Sequence, residues 1–185
     1  ITFQAFFFMF LGAVFIIRVF WKENIKDFGW APPFKEKNAF VLTIAAIAIL
    51  LPFAFIGSRL PMFQSYYSLG EIPFTSFLFL GIIFSAIYYF SEEFLFRGFL
   101  FWGLYRKIGL HAFWVLNIFF ALFHAWKPWP EIPFAFIAGL LMSYLSFKTK
   151  SFIPAALVHF TIALVLNILV TYVWSAPQSA GQLHF

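Results

Sequence analysis

Glu92 and Glu93 stand side by side in the run SEEFLFRG, residues 91–98, with Arg97 close behind, and two histidines, His124 and His159, follow in later apolar stretches. Two carboxylates, a guanidinium and two imidazoles make a set able to do acid–base chemistry. Glu93 and Arg97, at i and i+4, share one helix face and can neutralise each other. Glu92 is turned by about 100° from Glu93, so one arginine cannot serve both equally. A buried carboxylate left over from that pair can take a proton from water near neutral pH. An imidazole within reach can orient the same water and later pass a proton to a leaving amine. Glu92, His124 and His159 would equally be a reasonable ligand set for catalytic Zn²⁺, although no HExxH motif is present.

The elements that must carry these residues are membrane helices. Of 185 residues, 63% are hydrophobic and only 10% charged, and 32 are Phe. A soluble domain carries charge on roughly a quarter of its residues and could not bury this much apolar surface. The absence of Cys excludes a disulfide scaffold. A formal charge of +5 comes with no basic stripe, so nucleic acid is not a partner. The expected fold is an all-α, polytopic transmembrane bundle of about six spans, forming one integral membrane domain over residues 1–185. The spans are expected near 3–20, 39–56, 75–105, 110–126, 132–147 and 153–174, with a short mobile tail at 175–185. The chain opens on Ile1 rather than Met, as a trimmed or partial sequence would.

Lys and Arg sort between these spans with a regular alternation. Odd-numbered connections hold nine, including Arg18, Lys22, Lys26, Lys35 and Lys37 in the first; even-numbered connections hold only Arg59 and Lys127. Odd connections are therefore expected on the cytoplasmic side and both termini outside. Trp126, Trp129 and Trp174 fall in the outer interfacial belt, and the first connection, with Phe28, Trp30 and Phe34, reads as an interfacial segment. The expected location is a prokaryotic plasma membrane. Arg97 is the single basic residue left inside a span, on the helix of Glu92 and Glu93. Charges at mid-bilayer cost roughly 2.5–3.5 kcal/mol each on insertion scales, so such residues usually pair and mark function.

Depth supplies a partner for Glu92. The third and fourth spans turn near Ile108, and Glu92 and His124 are equally far from it along the chain. In an antiparallel hairpin they lie at one level. His159 does not match as well: it is about 12 Å from its end of the sixth span, against roughly 24 Å for Glu92 from Ile108. The two agree only if the third–fourth hairpin projects beyond the membrane or the stretch from Thr149 to Pro154 dips into it.

These motifs resemble the CAAX-protease and bacteriocin-processing family of intramembrane glutamate endopeptidases. Glu92, Glu93 and Arg97 match its EExxxR motif, Phe120 and His124 its FxxxH motif, and His159 the histidine of its third motif. The resemblance spans about 75–170, a family-like catalytic core. It implies a metal-independent endopeptidase acting on a membrane-associated or lipid-modified peptide or protein. Glu92 and His124 would activate water, Glu93 and Arg97 would hold the site together, and His159 would face the scissile carbonyl. In the family an Asn or Asp four residues after that histidine helps to stabilise the oxyanion; here the position is Ala163. One lost oxyanion donor can cost roughly 10²–10³ in rate. Asn117, seven residues before His124 on nearly the same face, is a candidate replacement, and Asn167 a more distant one. Two other readings compete: a catalytically altered membrane protein for immunity or peptide binding, and a zinc-dependent membrane hydrolase using Glu92, His124 and His159.

Overall fold

The structure, a computed structural model, describes residues 1–174; the expected tail at 175–185 lies outside the described residues. Apolar runs without water to satisfy backbone groups must bond within themselves, and each apolar run of this chain does so as a helix. The helices are α1 (Thr2–Phe20), α2 (Ala39–Ser58), α3 (Pro61–Tyr67), α4 (Phe74–Ile108), α5 (His111–Phe123), α6 (Glu131–Thr149) and α7 (Ile153–Val173). No strand occurs among the described residues. Five of these helices, α1, α2, α4, α6 and α7, are long and apolar enough to cross a membrane, and α5 is a shorter apolar helix. This is an all-α polytopic bundle. Phe8, Phe79 and Phe119 stand 78%, 73% and 61% exposed on its outside, which only a lipid solvent would favour.

Helix α7 packs against α2, α4 and α6, α5 packs along α6, and α1 lies on the outer side of α4. α4 and α7 run antiparallel: Glu93 meets His159 near the middle, and Ile72, just before α4, accepts a hydrogen bond from the Tyr172 hydroxyl at 3.0 Å. At 35 residues α4 is about 52 Å long, well beyond a hydrocarbon core of roughly 30 Å.

Three details differ from the sequence expectation. Helix α5 ends at Phe123 instead of near Trp126, because Lys127, Pro128 and Pro130 turn the chain, leaving His124 at the helix end. The second connection holds an additional helix, α3, begun by Pro61 at its first turn. The first connection is not simply interfacial: Phe28 is fully buried on Phe99 and Trp21, while Trp30 and Phe34 stay partly exposed. This connection is fastened to the start of α7. Gly29 takes a left-handed φ of 74° and its carbonyl accepts from the Phe152 amide at 3.2 Å, and the Ser151 hydroxyl donates to the Ala31 carbonyl at 2.8 Å. Thr149, Ser151 and Phe152 are consequently buried beneath it. With α4 longer than a hydrocarbon core and the turn before α7 covered by the first connection, His159 reaches Glu93, the neighbour of Glu92 on α4.

Candidate active site

Helix α4 brings Glu92, Glu93 and Arg97 into the bundle, all buried. The helix widens over Phe94–Leu100, and the Arg97 carbonyl in this stretch accepts a hydrogen bond from the Ser146 hydroxyl of α6 at 3.1 Å. Arg97 Nη1 donates to Glu93 Oε1 at 3.1 Å, the i,i+4 pair expected from the sequence. The same Oε1 accepts from His159 Nδ1 at 2.7 Å, so one carboxylate oxygen ties α4 to α7. Glu93 Oε2 and Arg97 Nε are buried without a hydrogen-bond partner among the described residues.

The other end of the guanidinium meets α5. Arg97 Nη2 donates to Asn117 Oδ1 at 3.2 Å, while Asn117 Nδ2 donates to the Phe113 carbonyl at 2.7 Å and to Ser143 Oγ at 3.0 Å. Both amide functions of Asn117 are thereby engaged. Asn117 supports Arg97 and has no donor to spare for an oxyanion, which corrects the replacement role weighed from spacing. Asn167 lines a different cavity, with Tyr88 and Tyr89. Gly139 of α6 makes the close approach possible: a Cβ there would stand 2.4 Å from Asn117 Oδ1 and 2.9 Å from Arg97 Nη2.

Phe120 explains its place one turn before His124. Its ring lies under the guanidinium, with Arg97 Cζ 3.8 Å from the centroid, and 4.6 Å from the His124 ring. Its carbonyl lies 2.8 Å from His124 Nδ1. A carbonyl only accepts, so Nδ1 carries the hydrogen and Nε2 is left to face the site. Acting alike on the other histidine, the Glu93 carboxylate takes the Nδ1 hydrogen of His159 and leaves its Nε2 outward.

Glu92, His124 and His159 each offer one ligand atom, and these atoms lie within 4.8 Å of one another. Two hydrogen bonds of about 2.8 Å through one oxygen span such a distance, so a single water can touch all three. The same donor set could hold Zn²⁺, with Glu93 and the Phe120 carbonyl as the outer partners that metal-bound histidines usually have. Tyr88, one turn before Glu92, interacts with its carboxylate.

A cavity of about 210 Å³ opens at His124 and His159, and most of its wall is apolar, including Leu50, Phe53, Phe63, Phe134 and Leu166. Ala163 and Tyr89 are also in this wall. Its polar side comes from Glu131 and the residues bound to it. Glu131, at the start of α6, is buried; it accepts from Tyr67 at 2.5 Å and from Lys127 Nζ at 2.9 Å, and its Oε1 lies 3.9 Å from His124 Nε2. Burial, and then the Glu131 carboxylate, push the Tyr67 phenol far above its ordinary range. An acid in the first turn after Pro130 reads from sequence as an ordinary helix-start residue, so nothing local marked it out.

Taken together, fold and site define an all-α integral membrane protein with a buried glutamate–histidine centre opening on an apolar cavity. Residues 74–165 match the family model described as Rce1-like, Type II CAAX prenyl endopeptidase Rce1-like. The chain belongs to this family, and membership implies a membrane protease. No curated protein and no solved structure matches the chain.

Proposed function

We propose that the protein is an intramembrane endopeptidase in which Glu92 and His124 activate water against a peptide bond of a membrane-associated or lipid-modified substrate. The observation that carries this reading is the convergence of Glu92, His124 and His159 within 4.8 Å beside an apolar cavity. Water is held by the Glu92 carboxylate and His124 Nε2. Glu92 removes one proton as the oxygen attacks the carbonyl carbon, which gives a tetrahedral oxyanion. His159, held through Nδ1 by Glu93, presents Nε2 to that oxygen and, when protonated there, donates to it. Glu92 then returns the proton to the leaving nitrogen, the C–N bond breaks, and the net change is addition of one water. The family description points to prenylated C-terminal peptides as the first substrates to try. On the count of basic residues, the odd-numbered connections face the cytoplasm.

The test is a panel of internally quenched peptides, farnesylated and unmodified, incubated with the protein in detergent. Glu92→Gln should lower kcat by about 10³ or more and leave the unfolding midpoint within about 3 °C of wild type. Cleavage that survives this substitution refutes the assignment. The shared reach of the three side chains also favours a second reading, in which they bind Zn²⁺ and the ion activates the water. Cleavage by protein verified as metal-free, after chelation, separates the glutamate mechanism from that one.

A further inference from the structure

One turn after His159 stands Ala163, which has no polar group, so the oxyanion described above would have His159 as its single side-chain donor. We infer that the Tyr89 hydroxyl supplies the second donor, from the opposite helix. The inference rests on the proteolytic reading and adds a catalytic residue to it.

Position is the first reason. Because α4 and α7 are antiparallel and meet at Glu93 and His159, one turn before Glu92–Glu93 on α4 and one turn after His159 on α7 fall at the same level. Tyr89 occupies the first place and Ala163 the second, and both line the cavity that opens at His124 and His159. The methyl group of Ala163 leaves room where a longer polar side chain would reach in. Tyr89 fills the facing wall.

Chemistry is the second. The Tyr89 ring packs on the His159 ring at 4.4 Å between centroids, so its position is set by the residue that faces the scissile carbonyl. Tyr88, its neighbour, is turned toward Glu92 and lines only the other cavity. Tyr89 lies within electrostatic reach of Glu92 and Glu131, yet its hydroxyl makes no hydrogen bond among the described residues. A phenol in an apolar wall usually finds an acceptor. Here the acceptor that fits is the oxygen on which charge develops: the O–H would donate to it in the tetrahedral state without giving up its proton. Such a bond strengthens as the carbonyl oxygen becomes negative and so acts on kcat more than on KM.

The experiment measures kcat and KM with the farnesylated quenched peptide for wild type, Tyr89→Phe, and Tyr89→Phe combined with Ala163→Asn, with rates referred to the folded fraction from size exclusion. Removal of the hydroxyl should lower kcat by about 10²–10³ while KM stays within about threefold. Ala163→Asn places an amide one turn after His159 and should restore at least about tenfold of that loss. A Tyr89→Phe enzyme with kcat within about threefold of wild type overturns the inference, as does a change confined to KM, or a loss that Ala163→Asn does not relieve. Wild-type protein that cleaves no peptide in the panel removes the proteolytic reading itself. Cleavage by wild type and by Tyr89→Phe at kcat values within about threefold of each other removes only the role of Tyr89.

Discussion

Replacing Arg97 by Met tests whether the buried charges hold the helices together as a unit. Arg97 is fully buried, and its loss leaves the Glu93 carboxylate with His159 as its remaining partner and Asn117 Oδ1 with only the Ser143 hydroxyl, at 3.4 Å, as donor. Breaking a buried ion pair from one side costs roughly 3–5 kcal/mol, because the surviving charge is uncompensated. At about 2–4 °C per kcal/mol for a chain of this size, the midpoint should fall by roughly 6–20 °C. Glu93→Gln should cost a similar amount, since it strands the guanidinium. The double variant removes both charges. What remains is an Asn117 acceptor held only by the long Ser143 hydrogen bond and an amide in place of the carboxylate, a cost of roughly 1–3 kcal/mol. The double variant should therefore be more stable than either single one, with a coupling of at least about 3 kcal/mol. Detergent-solubilised protein followed by intrinsic fluorescence during heating, and by titration with SDS, measures all three. Costs that add within about 0.5 kcal/mol would refute the view of these residues as one unit.

Two further outcomes follow from the same geometry. Gly139→Ala should destabilise by about 1–3 kcal/mol and lower the midpoint accordingly, although alanine is the better helix former, because its Cβ would displace Asn117 and Arg97. A gain in the unfolding midpoint would contradict that contact. The Tyr67 phenol gives a pH signature. Its folded pKa is raised above the ordinary value of 10.0, so its contribution to stability is complete below about pH 10 and is lost as pH rises further. Wild type should lose stability faster than Tyr67→Phe above pH 10 in midpoint measurements; parallel curves would remove Tyr67 as the source.

Much of this was readable from charge placement. In a chain with so few ionised residues, those left over inside a span had to be paired or functional, and Glu92, Glu93 and Arg97 lie together as that requires. Equal distance from one turn found His124 opposite Glu92, because a helical hairpin converts sequence distance into depth. The same ruler failed for His159, since depth counted from a helix end depends on where that end sits, and the turn before α7 is sunk under Gly29 and Ala31. Glu131 escaped notice for another reason. Its role comes from Tyr67, far away along the chain, and from His124 across a loop, and periodicity carries no signal for such contacts. Asn117 was placed on the correct face, but which of its two neighbours it served depended on Gly139, a residue whose importance lies in the side chain it lacks.

The adjacent glutamates are the same side chain in nearly the same burial, and the helix gives them different surroundings. A rotation of about 100° between neighbours turns Glu93 toward Arg97 and His159, where its oxygen is bound from two sides, and turns Glu92 toward the two histidines and the space between them. A carboxylate oxygen held by two donors is committed to them and has little room left to hold a water. A carboxylate without a cation bound to it retains the lone pairs that water needs. Glutamine at either position keeps the shape and removes the charge, so the two variants should differ in kind: at Glu92 activity is lost from a stable protein, and at Glu93 stability falls together with the orientation of His159. Were the pair only a means of balancing charge in the bilayer, removal of the unpaired Glu92 charge would instead stabilise the fold more than it harmed activity, and the two measurements together distinguish these cases.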